Sequence, residues 1–273
     1  MSIEMVMLLL PAFTACLVLT GIHVWLGLHV ITRGVIFVDL ALAQVAALGT
    51  TIALLGGAEP GSVAAWFVSL AFTFGGAILF SLARAHADRV PTEAFIGIVY
   101  AVCSALAVLV ADRLPHGADE IREILVGNLI SVTWTRIGTT AAIYAGIGAL
   151  HFAFRKQFLA ISQDPAAAER AGTNLARWDF LFYASFGVVI TSAVAIGGVL
   201  IVFSYLVIPT VIAALFARDT ATRLMIGWGV GFAGSVLGIL ASIEADLPTG
   251  AAVVATFGAL LVGALIVRRL LGR

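Results

Sequence analysis

Apolar runs long enough to cross a lipid bilayer fill most of this 273-residue chain. Hydrophobic residues make up 62% of the sequence and charged residues 11%, a composition that excludes an ordinary soluble fold. A membrane-spanning helix needs about 20 apolar residues. Runs of that length lie at 5–28, 35–56, 62–83, 93–111, 134–154, 222–243 and 250–267. We therefore expect an all-α, polytopic helical bundle embedded in a lipid bilayer.

The segment between Arg177 and Arg218 is too long for one span. It carries Asp179 as its only charge, and at 1.5 Å rise per residue it gives about 60 Å of helix, twice the hydrocarbon thickness. Gly197-Gly198 offers a break near its middle, so we predict two spans here and about nine in all. No short repeat or linker divides the chain, and we expect a single transmembrane domain over 1–273.

Glycine spacing indicates how the predicted helices pack. In the 222–243 run, small residues recur on one side of the helix, which favours close approach of neighbouring backbones. These residues are Gly227, Gly231, Gly234 and Gly238. We expect similar contacts at Gly75-Gly76 and at Gly146 and Gly148.

The basic residues predict the orientation of the chain. With the N-terminus outside, only three of the 15 basic residues, namely Arg113, Arg122 and Arg136, lie in outer loops. The positive-inside rule therefore favours an outer N-terminus and a cytoplasmic C-terminus. The three outer arginines either break the rule without further meaning or pair with carboxylates of a docking protein. The formal net charge of zero leaves no electrostatic footprint for nucleic acid.

A polar island at 155–177 interrupts the apolar sequence and holds the only lysine, Lys156. At its centre Asp164 can cap a helix, Pro165 suits the first helical position and Gly172 can end the helix. Such a helix is too short and too polar to span a bilayer. We expect it in the cytoplasm, where it contacts another molecule.

The sequence contains no recognisable source of energy and no catalytic motif. Lys156 lacks the preceding glycine run of a phosphate-binding loop, and no Ser-His-Asp order, HExxH or CxxC pattern is present. His23 and His29 are six positions apart, about 240° around a helix, and cannot converge. We therefore expect that this chain neither hydrolyses nucleotide nor acts as an enzyme.

Asp39 is the strongest intramembrane candidate for function. A carboxylate costs about 2.5–3.5 kcal/mol at the bilayer centre, so it should face the bundle interior or a water-filled path. Alternatively, it pairs with Arg33 or Arg84 near the cytoplasmic end. Gln44 is five residues further on, about 140° around the helix. Pro209 interrupts a predicted span, and such breaks are tolerated where they line a cavity, so Asp39, Gln44 and Pro209 are candidates for a translocation path.

Taken in order, these segments resemble the permease subunits of ABC importers for zinc and manganese. The resemblance runs over nearly the whole chain and rests on the passages 33–49, 93–97, 198–209 and 246–250. The loop 164–172 resembles that family's coupling helix, with an acidic residue, an alanine and a closing glycine in place.

The resemblance implies an ABC importer permease fold in a bacterial cytoplasmic membrane. Two copies would form the pathway as a homodimer, a cytoplasmic ATPase would hydrolyse ATP, and an extracytoplasmic metal-binding protein would dock outside. No cofactor is expected beyond the transported divalent metal. The residues implied in coupling to the ATPase are Asp164, Pro165, Ala168, Glu169, Ala171 and Gly172.

One departure from the family affects the expected cargo. Family members typically carry an Asp and a His four residues apart in the second span, whereas alignment on Gly49 places Leu40 and Gln44 there, with Asp39 displaced by one residue. An amide is a poor ligand for zinc and less so for harder cations. Asp39 remains a candidate metal ligand. We expect zinc as cargo, then manganese or iron; the alternatives are a chelate such as a siderophore or cobalamin, or an ion-coupled secondary transporter.

Overall fold

The computed structural model describes residues 3–84, 89–127 and 129–272, and these ranges are almost entirely helical without a β-strand. A 3₁₀ turn lies at Leu129–Ser131. The α-helices are α1 (Ile3–Arg33), α2 (Val38–Leu55), α3 (Val63–Arg84), α4 (Thr92–Ala111), α5 (Gly117–Val126), α6 (Trp134–Ala153), α7 (Arg155–Gln163), α8 (Pro165–Arg170), α9 (Leu175–Phe216), α10 (Thr220–Glu244) and α11 (Thr249–Leu270).

Seven of the described helices are long and apolar enough to cross a membrane, namely α1, α2, α3, α4, α9, α10 and α11. Helices α6 and α7 qualify only together, with a 72° bend between them. Helix α9 has 42 residues and contains one non-helical residue, Gly198. The described helices therefore provide seven candidate spans, or eight if α6 and α7 form one, against about nine predicted, because the segment expected to form two spans is the single helix α9 with its break at Gly198. The all-α membrane fold is confirmed.

The break in α9 occurs where glycine was expected to allow it. Gly198 has φ 71° and ψ 169°, a conformation that side chains with a Cβ rarely adopt. Gly127, at φ 69°, approaches so closely that a Cβ there would collide with the carbonyl group of Gly197. The junction therefore requires glycine at positions 127 and 198.

Pro209 does not break its span, which corrects the prediction. Helix α9 continues through Pro209 to Phe216, and its non-helical residue is Gly198. Proline removes one backbone donor, but membrane helices tolerate this when neighbouring groups supply other hydrogen bonds.

The chain forms two compact units of helix. The first unit comprises Met1–Ile31, Val126–Tyr144 and Ile196–Arg273, and the second comprises Thr32–Leu125 and Ala145–Ala195. The single domain expected from the sequence stays a prediction.

In the first unit, helix α10 packs through the four predicted glycines, all of which are buried. A Cβ at 227, 231, 234 or 238 would meet, in that order, Val24, Thr20, Phe257 and Val253. The glycine stripe therefore contacts two helices, α1 and α11. This confirms close packing at the stripe. In the second unit, a Cβ at Gly146 or Gly148 would meet no described atom within 4 Å, so that part of the prediction is wrong for the described chain.

In the second unit, helix α2 is the most enclosed span and packs on α3. A Cβ at Gly49 would lie 2.7 Å from the Cα of Ser69, and the Ser69 hydroxyl donates to the carbonyl oxygen of Ala46 at 2.8 Å. The hydroxyls of Thr73 on α3 and Thr191 on α9 share a hydrogen bond of 2.8 Å. Small and hydroxyl-bearing residues thus bring these helices together.

We predict that Gly238→Ala destabilises the protein by about 1–3 kcal/mol, the usual cost of overpacking, because the new Cβ would lie 2.6 Å from the Cα of Val253. Gly229→Ala on the same helix is the control, since a Cβ there meets no described atom within 4 Å. Thermal unfolding of both variants in detergent measures the difference. Equal melting temperatures would contradict the packing.

Candidate functional site

A buried ion pair joins the end of α1 to the start of α9. The Nη1 of Arg33 lies 2.7 Å from the Oδ1 of Asp179, and each side chain is 1% exposed. The Nε of Arg33 donates to the Oγ of Ser162 on α7 at 2.8 Å, and its guanidinium lies 4.0 Å from the ring centroid of Phe182. Charge-assisted hydrogen bonds of this kind are among the strongest in proteins. Arg33 therefore links, within the second unit, the last turn of α1 to α7 and to the first turns of α9.

Aromatic packing surrounds this ion pair. The Nε2 of His151, near the end of α6, lies 2.8 Å from the Oγ of Ser185. The His151 ring stacks on Phe158 at 4.3 Å between centroids, and Phe158 also packs edge-on against Trp178. Phe158 is fully buried, so it anchors α7 to the ends of α6 and α9.

Helix α7 has one buried face and one exposed face. Its buried residues are Phe158, Ile161 and Ser162, and their i, i+3 and i+4 spacing places them on one side. Arg155, Lys156, Gln157, Ala160 and Gln163 are exposed. The sequence-based prediction identified only one helix in the polar island and missed α7. The 3–4 spacing of its buried residues was the signal available.

Helix α8 begins and ends as predicted. The Oδ1 of Asp164 accepts a hydrogen bond from the backbone N–H of Ala167 at 2.9 Å, Pro165 occupies the first turn and Gly172 has φ 86° beyond the C-terminus. Ala168 is buried. A partner can reach the other residues predicted to couple to the ATPase. Pro165 is partly exposed, and the exposed ones are Asp164, Glu169, Ala171 and Gly172.

Asp39 lies in the first turn of α2 and is 1% exposed. Neither of its carboxylate oxygens accepts a hydrogen bond from a residue that the structure describes. The ion pair of Arg33 is with Asp179, so the alternative pairing of Asp39 with Arg33 is wrong. The other proposed partner, Arg84, has a side chain outside the described residues.

The turn before α2 is fixed by a side chain from α4. The backbone N–H of Ile36 donates to the Oε1 of Glu93 at 3.2 Å, and Gly34 has φ 67°. The sequence-based reasoning singled out 93–97 only by resemblance and gave Glu93 no role. The structure gives it one, since its carboxylate holds the turn that leads into Asp39.

The other predicted path residues do not form a described metal site. Gln44 is 6% exposed on α2, in the second unit with Asp39, whereas Pro209 belongs to the first unit. Within 3–84, 89–127 and 129–272, no group of three or more His, Cys, Asp or Glu side chains is placed to hold a metal ion. The pathway role of these residues stays a prediction.

The outer arginines differ in exposure. Arg113 follows α4 and Arg122 lies on α5, and both are exposed, whereas Arg136 near the start of α6 is half-buried. Their role in docking a binding protein stays a prediction. The two histidines of α1 are packed: His23 is fully buried with its Nδ1 2.7 Å from the carbonyl oxygen of Leu19, and His29 packs edge-on against Trp25.

The sequence profile of the ABC 3 transport family matches residues 5–268. The chain therefore belongs to the ABC 3 transport family, and the predicted resemblance to metal ABC importer permeases is confirmed at that level. This family is a transport component and not a catalytic enzyme.

Two relatives and one solved structure are similar over most of their length. The manganese transport system membrane protein MntC of Listeria innocua is 26% identical over 84% of this chain and 79% of its own. The high-affinity zinc uptake system membrane protein ZnuB of Haemophilus influenzae is 25% identical over 90% and 92%. PsaBC from Streptococcus pneumoniae in complex with Fab gives a TM-score of 0.80 at 21% identity, over 94% and 90%, and this likeness supports the fold.

Proposed function

We propose that this chain is the permease subunit of an ABC importer for a divalent transition-metal ion. The observation that carries the proposal is the family match over 5–268, with relatives named for manganese and for zinc transport. Two copies form the pathway in a bacterial cytoplasmic membrane, a cytoplasmic ATPase supplies energy, and an extracytoplasmic metal-binding protein delivers the ion. ATP-driven closure of the ATPases alternates access to the pathway.

The polar island is the proposed contact with the ATPase. Its two short helices present an exposed surface that includes Lys156 and Glu169, while Phe158 and Ser162 hold α7 against the second unit. The arginine distribution favours a cytoplasmic position for this surface, with an outer N-terminus and a cytoplasmic C-terminus. Because the buried face of α7 is fixed to the second unit, α7 and α8 can transmit a movement of the partner to the membrane helices.

The choice between zinc and manganese rests on the side chains of α2. Asp39 is a buried carboxylate without a described hydrogen-bond donor, and Gln44 offers an amide oxygen in place of an imidazole. Oxygen ligands suit manganese better than zinc, which binds well to nitrogen and sulfur. We therefore propose manganese or zinc as the cargo, and the oxygen ligands of these two residues fit manganese better.

Uptake into proteoliposomes tests the proposal directly. The chain, purified with its ATPase, is reconstituted with ATP inside or outside the vesicles and supplied with radioactive manganese loaded on its binding protein. We expect manganese uptake that requires ATP on the side of the membrane where the ATPase lies. Excess zinc should reduce this uptake by competition. Uptake by this chain alone without ATP would overturn the proposal and favour a secondary transporter. Competition only by a siderophore or cobalamin would instead indicate a chelate as cargo.

For coupling, we predict that Glu169→Arg reduces the amount of ATPase that co-purifies with the chain, because it reverses a charge on the exposed surface of α8. Glu244→Arg is the matched control, since Glu244 is an exposed residue at the end of α10 and falls outside the membrane in the predicted topology. Quantitative affinity purification measures the ratio of the two chains. An equal loss in both variants would count against α8 as the contact.

For the pathway, we predict that Asp39→Asn lowers manganese uptake by at least about tenfold, in line with losses seen when groups around a metal are removed. The amide has nearly the same size, so the amount of folded protein should be unchanged or higher, since a buried charge is removed. Asp39→Glu keeps the carboxylate and should retain part of the uptake. Wild-type uptake by Asp39→Asn at equal expression would show that Asp39 is not in the pathway.

A further inference from the structure

The side chain of Arg33 connects the polar island to the turn that precedes Asp39. Arg33 is the last residue of α1, and its bond to Ser162 reaches α7 two residues before the capping residue of α8. In the other direction, a short turn leads from Arg33 to Val38, the first residue of α2, and Asp39 follows. One side chain therefore lies between the surface proposed to contact the ATPase and the buried carboxylate proposed for the pathway.

The turn between Arg33 and Asp39 is held at two points. At its start, Arg33 is fixed by Asp179 and Ser162. At its middle, the backbone N–H of Ile36 donates to Glu93 on α4. A shift of α7 that moves Ser162 must either break its bond to Arg33 or move the start of this turn relative to Glu93.

The energetics of the ion pair suggest a role beyond stability. A buried ion pair is often no more stabilising than well-packed apolar side chains of the same volume, because both charges lose their hydration. The directional bonds of Arg33, to a carboxylate on α9 and a hydroxyl on α7, instead fix the relative positions of three helix ends. Removing one charge alone would leave the other buried without compensation, which is strongly destabilising.

We propose that Arg33 is a positioning residue that, with Ser162 and Asp179, couples movement of α7 and α8 to the start of α2 during transport. This rests on the function proposed above. Helices α7 and α8 move when the ATPases close. Ser162 on α7 then displaces Arg33, and the turn at 34–37 transmits this displacement to Asp39. Loss of the link leaves ATP hydrolysis running while less metal crosses the membrane.

The test uses the complete transporter in proteoliposomes and measures manganese ions transported per ATP hydrolysed. Ser162→Ala removes one bond of Arg33 without leaving a buried charge. The double variant Arg33→Gln with Asp179→Asn removes both charges together, so neither is left unpaired. Ser235→Ala is the matched control, a buried serine on α10 that bonds Tyr205 at 2.6 Å.

We expect the transport ratio to fall several-fold in Ser162→Ala and by about 5- to 150-fold in the double variant, the usual range of coupling between sites, with ATPase co-purification unchanged. Ser235→Ala should keep the wild-type ratio. A purely structural role would lower transport and ATP hydrolysis in proportion, and an unchanged ratio in Ser162→Ala would overturn the inference even if the double variant does not fold. Failure of the wild-type transporter to show ATP-dependent uptake would instead overturn the proposed function.

Discussion

Hydrocarbon offers no hydrogen-bond partners, so a polar group within the spans costs free energy unless the chain itself supplies a partner. Most buried hydroxyls do this locally by donating to a carbonyl oxygen one turn earlier, as Thr20 does to Cys16 and Ser204 to Leu200, both at 2.8 Å. A guanidinium has too many donors for that solution. The Nε and Nη1 of Arg33 find partners in a hydroxyl on α7 and a carboxylate on α9, and these bonds hold the three helix ends together.

Local sequence features predicted much of the fold because their causes are local. Apolar length sets the spans, Gly198 allows the break in α9, and Asp164 with Gly172 delimits α8. Pro209 misled because its missing N–H is a smaller obstacle to a membrane helix than the backbone angles at Gly198. Helix α7 escaped prediction because its polar face dominates the composition, while only three buried residues fix it.

The site was harder to predict because its parts are distant in the sequence. Arg33 and Asp179 are 146 residues apart, and nothing in the charge pattern distinguishes this pairing from one with Asp39, six residues after Arg33. The correction matters for Asp39, which is left buried without the arginine first suggested as its counter-ion. The departure from the family at Leu40 and Gln44 lies on the same helix, α2. The sequence therefore identified the helix that carries the candidate site but not the contacts of its side chains.

The exposed face of α7 has a practical consequence for chemistry on the intact protein. Lys156 carries the only side-chain amine in the chain and lies on that face, outside the enclosed core of the second unit. Among the side chains, an amine-reactive fluorophore or cross-linker would therefore modify Lys156 alone, within the polar island. The unmodified sequence thus already contains one lysine side chain at which a label would report on whatever approaches this surface.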